Sequence, residues 1–356
     1  MKNCIIALSD GFVLKGKNFG YSGSSFGEIV FNTSMTGYEE ILTDPSYYKQ
    51  IITMTASEIG NYGITREDYQ SNKIYASGFI ARNISNVPSN FRSKISLEDY
   101  LKENKIIGLY GIDTRALTRH IRSRGAMKSF VSSEIGSEKE AVENALNSQD
   151  IAGIDIASEI STKEEYDFCA DGKYKIAVID CGVKRGILEN LKKRNCAVRV
   201  FPNVTDSEKI YKWKPDGILF SNGPGDPEPV ASAIELAKKL VSKYPVLGIC
   251  LGHQILCLAF GGKTYKLKFG HRGGNQPVKN LLTNKVEITA QNHGFAVDYD
   301  SVAGKVEVTH INLNDNTVEG MKHRNLPVFS LQYHPEGCPG PSDANYIFDE
   351  FVKILK

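Results

Sequence analysis

A short apolar run that ends in a cysteine between two glycines constrains this chain most. Val246–Ile249 is typical of a buried strand, Cys250 follows at once, and the next residues have a helical pattern. A strand, a sharp turn and a helix make a nucleophile elbow, in which the small residues Gly248 and Gly252 let the backbone bend and pack closely. The first amides of the helix would then face the sulfur and favour the thiolate. The alternative is a buried cysteine in a parallel strand, the commoner use of this residue.

A histidine and a glutamate near the C-terminus can complete a catalytic site with that cysteine. His334 and Glu336 follow the apolar run Val328–Leu331, and in an extended chain residues two apart project to the same face. A histidine can take the proton of a thiol while a neighbouring carboxylate holds its tautomer and stabilises the imidazolium. The chain order Cys, His, Glu fits such a triad, because triads are defined by spatial role. A surface turn that ends a strand at His-Pro is the alternative interpretation.

A third apolar run, Gly217–Phe220, leads into the loop Ser221–Pro227. The loop is too rich in Gly and Pro for a helix, and most loops of this kind are simply turns. It could also direct backbone N–H groups at a developing oxyanion. Because it precedes the elbow by one strand–helix unit, it would lie at the same carboxyl edge of the sheet, where open α/β folds place their sites.

The charge and cysteine content exclude several classes of protein. A net charge of +2, from 43 basic and 41 acidic residues, gives no reason to expect nucleic acid or an anionic membrane as a partner. The seven cysteines show no Cys-x-x-Cys spacing, which disfavours a disulfide framework or a zinc site and favours a reducing compartment. The apolar stretch at the N-terminus is too short for a signal peptide. The sequence therefore predicts a cytoplasmic protein.

Together the three motifs resemble those of the class I, triad-type glutamine amidotransferases. Further segments resemble the small subunit of carbamoyl-phosphate synthetase, so that the similarity covers nearly the whole chain. These segments are residues 27–48, 59–63, 111–115, 269–275 and 291–297.

The strand pattern and the resemblance imply an α/β protein with two domains. Residues 1–150 are predicted as a mixed β/α small-subunit domain, in which short strands alternate with Gly-rich turns. Residues 151–172 are predicted as a connector. From residue 173 to residue 356 strands alternate with helices, which predicts a class I glutamine amidotransferase domain with a doubly wound, mainly parallel sheet.

The resemblance implies the glutaminase half of a glutamine-hydrolysing carbamoyl-phosphate synthase. Cys250 would attack the side-chain amide of L-glutamine, His334 would pass the thiol proton to the departing ammonia, and Glu336 would orient His334. Water would then cleave the glutamyl thioester. The backbone amides of Gly223 and Leu251 would form the oxyanion hole. Position-for-position carry-over assigns glutamine binding to Ser46, Gly223, Gly225, Leu251, Gln254, Asn292, Gly294 and Phe295.

The resemblance also implies a large partner subunit in a heterodimer, with a higher oligomer of heterodimers left open. That subunit would hold ATP and Mg²⁺, receive ammonia through a tunnel, and make carbamoyl phosphate from bicarbonate for arginine and pyrimidine biosynthesis. This chain is expected to need no cofactor and no metal of its own. Its N-terminal domain is the expected docking surface.

Two other classes of function stay open at this point. One is a different class I amidotransferase or a free cysteine hydrolase, which residues 27–48 disfavour. The other is a non-catalytic regulatory subunit, which an intact Cys250, His334 and Glu336 disfavour.

Overall fold

The structure is a computed structural model that describes residues 2–355, and it consists of two compact units. The first unit extends to Ile151 and the second begins at Ala152. Among the helices described between residues 2 and 355, none is both long and apolar enough to cross a membrane.

The first unit is built around a closed β-barrel. Its strands are β1 (Asn3–Leu8), β2 (Val13–Gly20), β3 (Ser24–Asn32), β4 (Gln50–Met54), β5 (Glu58–Ile59), β6 (Gly78–Ala81), β7 (Asn83–Ile84), β8 (Ile107–Tyr110) and β9 (Met127–Ser132). Its helices are α1 (Tyr38–Thr43), α2 (Leu97–Glu103), α3 (Thr114–Arg124) and α4 (Glu138–Asn147), and a 3₁₀ turn spans Pro45–Tyr47. The barrel order is β1-β2-β8-β6-β4-β3-β9, and β5 pairs with β7 alone.

Helices α2 and α3 of this unit begin where side chains cap them. Ser96 Oγ accepts the Asp99 N–H at 3.1 Å at the start of α2, and Asp113 Oδ1 accepts the Ala116 N–H at 2.9 Å at the start of α3. Such caps satisfy donors that have no partner inside the helix. Helix α3 then buries Leu117 and Ile121, which lie one turn apart on one face.

The second unit contains one large sheet with helices on both faces. Its strands are β10 (Tyr166–Cys169), β11 (Tyr174–Asp180), β12 (Cys196–Pro202), β13 (Gly217–Phe220), β14 (Val246–Ile249), β15 (Lys263–Asn280), β16 (Lys285–Asp298), β17 (Val306–Asn312), β18 (Val318–His323) and β19 (Val328–Leu331). Its helices are α5 (Ala157–Ile160), α6 (Arg185–Lys193), α7 (Ser207–Trp213), α8 (Ala231–Leu240), α9 (Leu251–Ala259) and α10 (Ile347–Lys353), and a 3₁₀ turn spans Tyr299–Ser301.

The sheet order is β10-β12-β11-β13-β14-β19-β18-β17-β15-β16. The adjacent strands β12, β11, β13, β14 and β19 run parallel, and the remaining pairs are antiparallel. Leu236 of α8 and Ile255 of α9 belong to the apolar cluster on one face, and Leu188 of α6 and Phe348 of α10 belong to the cluster on the other. The predicted α/β fold with a doubly wound parallel sheet is confirmed, and antiparallel hairpins extend that sheet at one side.

The segment predicted as a connector contributes to this sheet. Within residues 151–172, strand β10 pairs antiparallel with β12 and forms an edge of the sheet. Arg199 of β12 holds Asp167 of β10 through two hydrogen bonds of 2.7 and 2.8 Å. A four-residue strand with exposed or half-buried side chains lacks the apolar periodicity that would reveal it in the sequence.

Candidate active site

Cys250 occupies the sharp turn between β14 and α9. Its backbone has φ 53° and ψ −104°, a conformation that is costly for a residue with a side chain. Hydrogen bonds on both sides hold the turn. The Cys250 N–H donates to the Leu331 carbonyl at 2.8 Å, and the Cys250 carbonyl accepts the N–H groups of His253 and Gln254 at 3.0 and 3.3 Å. The strand–turn–helix geometry that the sequence predicts is therefore present.

The two glycines that flank the cysteine allow backbone-to-backbone packing. A Cβ atom on Gly252 would lie 2.1 Å from the Phe220 carbonyl oxygen, and one on Gly248 would lie 2.6 Å from Leu256 Cδ1. Both distances are shorter than atomic contact permits. Helix α9 can therefore approach β13 and β14 only because these positions lack side chains.

His334 and Glu336 are buried and hydrogen-bonded to each other. Nδ1 of His334 lies 2.7 Å from Oε1 of Glu336, and the His334 N–H donates to the Ala290 carbonyl at 2.8 Å. The thiol of Cys250 helps to raise the pKa of this imidazole. Nε2 of His334 has no hydrogen-bond partner within residues 2–355, so it is available to exchange a proton with the sulfur. The structure thus brings these three residues together.

A buried lysine joins this group. Lys184 Nζ lies 2.8 Å from Glu336 Oε1 and donates to the Gly337 carbonyl at 2.8 Å. The side chain of Lys184 is 3% exposed and that of Glu336 is 0% exposed. Water therefore screens these charges only weakly, and the ionised form of each group is stabilised by the opposite charge of its neighbour.

These charges set the protonation of the site. Burial would lower the pKa of His334, but the Glu336 carboxylate and the thiol outweigh burial and Lys184 and raise it to about 10. Burial would raise the pKa of Glu336, but Lys184 and His334 outweigh it and lower it to about 2. Near neutral pH Glu336 is therefore ionised and His334 holds a proton, which is the form that a strongly basic imidazole has once it has taken the proton of a thiol.

Two functional candidates were missed in the sequence. Lys184 follows β11 at the carboxyl edge of the parallel sheet, where functional sites cluster. Its position after a predicted strand could have identified it in the sequence. Gln332 is two residues before His334 and shares its face if the strand continues. Its Nε2 lies 3.8 Å from Cys250 Sγ, and its Oε1 accepts Gln254 Nε2 at 3.0 Å.

The two residues predicted to supply the oxyanion donors lie close together. A Cβ atom on Gly223 would be 2.8 Å from Leu251 Cδ2 and 2.1 Å from the Cys181 carbonyl. Leu251 is the first residue of α9, so its N–H has no carbonyl partner inside the helix. Gly223 therefore lies close to the residue that follows Cys250, and the role of the two N–H groups in an oxyanion hole stays a prediction.

Several predicted glutamine-binding residues surround the cysteine. Cys250 Sγ lies 3.6 Å from the Asn292 carbonyl, and Gln254 Nε2 donates to the Phe295 carbonyl at 2.8 Å. Gly294 lies between Asn292 and Phe295 in β16. Gly225 lies in the loop after β13 and has φ 85°. Ser46 belongs to the first unit, in the 3₁₀ turn, where its N–H donates to Asp44 Oδ1 at 2.9 Å. Its role in binding glutamine stays a prediction.

One group of side chains in the second unit has metal-ligand chemistry. The candidate ligand atoms of His271, His293 and Glu319 all lie within 4.8 Å of one another, and all three residues are buried. The expectation that the chain needs no metal or cofactor stays a prediction.

Comparison with known proteins places both units in described families. Residues 177–354 match the family described as glutamine amidotransferase class-I, and residues 6–131 match the CPSase domain of the carbamoyl-phosphate synthase small chain. A protein of Clostridium acetobutylicum is 52% identical over 98% of this chain and 99% of its own length. One from Aquifex aeolicus is 51% identical over 100% of this chain and 99% of its own length. Both are named carbamoyl phosphate synthase small chain.

Proposed function

The chain belongs to the carbamoyl phosphate synthase small chain family, and on that premise we propose that Cys250, His334 and Glu336 are its glutaminase site. The substrate is L-glutamine, and the products are glutamate and ammonia. The observation that carries this proposal is the buried set of contacts from Lys184 through Glu336 to His334, whose pKa the thiol of the strained Cys250 helps to raise. A cysteine with a purely structural role would not require a buried histidine, glutamate and lysine beside it.

The reaction proceeds through a thioester. His334 takes the proton of Cys250, and the sulfur attacks the side-chain amide carbon of glutamine to form a tetrahedral intermediate. His334 then gives that proton to the nitrogen as the C–N bond breaks and ammonia leaves. Water attacks the glutamyl thioester with His334 as base, which releases glutamate and returns the proton to the sulfur. Throughout, Glu336 holds the imidazole in one orientation.

Backbone N–H groups and the surrounding residues are proposed to bind the substrate and its oxyanion. The N–H groups of Gly223 and Leu251 stabilise the oxyanion, and one such donor typically contributes about 3 kcal/mol to lowering the barrier. The residues of the second unit proposed to bind glutamine are Gly223, Gly225, Leu251, Gln254, Asn292, Gly294 and Phe295. Gln254 supports this assignment, because it is held by the Phe295 carbonyl and by Gln332 within the same buried region.

The released ammonia passes to a large chain. Ammonia in open water becomes ammonium, which is no nucleophile, so delivery through a tunnel protects it. In the proposed heterodimer the large chain holds ATP and Mg²⁺ and makes carbamoyl phosphate from bicarbonate, in the cytoplasm, for arginine and pyrimidine biosynthesis. The matched N-terminal family supports docking through the first unit, because residues 6–131 match a domain described for this small chain.

A glutaminase assay tests the proposal. The chain is purified alone and together with the large chain from the same genome, and glutamate release is measured for wild type, Cys250→Ser and Cys257→Ser. Cys257 is the matched control because it lies in α9 and is fully buried. We expect weak activity alone, strong activity in the complex, and a loss of ~10³-fold or more in Cys250→Ser only.

Equal rates for wild type and Cys250→Ser would overturn the proposed site. Strong activity that the large chain does not change would instead indicate a free cysteine hydrolase.

A further inference from the structure

A second buried group of charged side chains lies beside the proposed glutamine-binding segment, and no catalytic step uses it. His271 of β15 and His293 of β16 are paired directly across the two strands, with ring centroids 4.9 Å apart and planes at 87°. Glu319 of β18 is fully buried, with Oε1 3.5 Å from His271 Nδ1 and 4.0 Å from His293 Nε2. Its Oε2 has no hydrogen-bond partner in the described part of the chain.

His271 is held between two carboxylates. Its Nε2 lies 2.8 Å from Asp315 Oδ2, opposite the contact with Glu319. Burial would lower the pKa of His271, but these carboxylates outweigh it and raise it to about 9. Asn312 Nδ2 also donates to Glu319 Oε1 at 3.0 Å. A buried carboxylate is costly unless it is paired, so Glu319 and His271 hold each other in place.

His293 connects this pair to the backbone of the glutamine-binding segment. Its Nδ1 lies 2.8 Å from the Phe295 carbonyl, and a carbonyl only accepts, so Nδ1 carries the proton. Its Nε2 lies 3.3 Å from Gln291 Oε1, and burial lowers the pKa of His293. The same carbonyl accepts Gln254 Nε2 at 2.8 Å. The His293 ring and α9 therefore fix the position of this peptide.

We propose that Glu319 and His271 are positioning residues for glutamine binding. Their ion pair fixes the ring of His293, and that ring fixes the backbone of residues 292–295, which includes Asn292, Gly294 and Phe295. This inference rests on the proposed function, because it assumes that glutamine binds to that segment.

The geometry favours this role over a metal site. Ligand atoms at the corners of a zinc tetrahedron with bonds of about 2.1 Å are about 3.4 Å apart, whereas His293 Nε2 and Glu319 Oε1 are 4.0 Å apart. His271 Nδ1 also faces Glu319 as a donor, which leaves it no lone pair for a metal.

Steady-state kinetics on the complete complex tests the proposal. We expect Glu319→Ala to raise the KM for glutamine about 10-fold while kcat stays within about 2-fold, because substrate binding is lost without a change in the chemistry. Glu319→Gln keeps an oxygen acceptor for His271 and Asn312, and its KM is expected within about 3-fold of wild type. His271→Ala should reproduce the effect of Glu319→Ala.

The matched control is Glu287→Ala. Glu287 is a buried glutamate that accepts Tyr346 Oη at 2.8 Å and Tyr333 Oη at 3.5 Å, and its side chain has no hydrogen bond to residues 292–295 in the described part of the chain. Its variant should lower the melting temperature and leave the KM unchanged. Equal KM increases in Glu319→Ala and Glu287→Ala would reduce the role of Glu319 to general stability and overturn the inference.

Two further results would also overturn it. One is a wild-type KM in Glu319→Ala, and the other is a stoichiometric bound zinc that is lost with Glu319. Failure of the proposed function has a different signature, because wild type and Cys250→Ser would then release glutamate equally in the same assay.

Discussion

Replacement of Lys184 by methionine tests how the catalytic carboxylate is held. Lys184→Met keeps much of the side-chain volume but removes the charge that lies 2.8 Å from Glu336 Oε1. It also removes the donor to the Gly337 carbonyl. Of the ion-pair partners of Glu336 within residues 2–355, only His334 would remain. We therefore expect the variant to be less stable and less active.

The size of the effect follows from burial. Removal of one partner from a buried ion pair typically costs ~3–5 kcal/mol, because the other charge stays buried. The pKa of Glu336 lies at about 2 instead of 4.5, which corresponds to about 3 kcal/mol at ~1.4 kcal/mol per tenfold change, shared between Lys184 and His334. For a unit of this size ~3 kcal/mol lowers the melting temperature by roughly 10 °C. Misplacement of Glu336 is expected to lower kcat ~10–100-fold.

Calorimetry and glutaminase kinetics measure the two effects. Lys209→Met is the matched control, because Lys209 lies in α7 with an exposed side chain. It should change neither the melting temperature nor kcat. If Lys184→Met melted within about 2 °C of wild type and kept its kcat, the argument that this charge pair supports the site would be refuted.

Two more outcomes follow from the same site. The folded-state pKa of Glu336 is lowered to about 2 and that of His334 is raised to about 10. The contribution of Glu336 to the free energy of unfolding is therefore lost progressively as the pH falls below 4.5, and the contribution of His334 is lost progressively as the pH rises above 6.5. Urea unfolding should therefore show the largest stability difference between wild type and Glu336→Gln from pH 4.5 to 6.5, and a difference that is constant from pH 3 to 9 would contradict this. Cys250→Gly should be about 1 kcal/mol more stable than Cys250→Ala, since only glycine adopts the φ of 53° without strain. A lower melting temperature for the glycine variant would show that the turn is not strained.

Local chemistry in the sequence was enough to locate the proposed nucleophile and its base. Cys250 could be recognised because its strained turn leaves no room for side chains at positions 248 and 252. Both positions are therefore glycine, and the pair of glycines is visible in the sequence. His334 and Glu336 were paired on the expectation of an extended chain. The structure instead ends β19 at Leu331 and places Glu336 in a turn, which still brings the two side chains together. The strand–helix alternation after residue 173 likewise indicated the parallel sheet, since each unit has its own apolar period.

Contacts between distant parts of the chain were decided by the tertiary structure alone. The barrel closes through pairs such as Ser25 with Val131, and β10 joins the sheet through Arg199. Lys184 reaches the Gly337 carbonyl across 153 positions, and Glu319 meets two histidines from other strands. A buried charge needs partners at a particular point in space, and no local pattern records which residue supplies them. The sequence therefore determines which residues can do the chemistry, whereas packing determines which charges hold them in place.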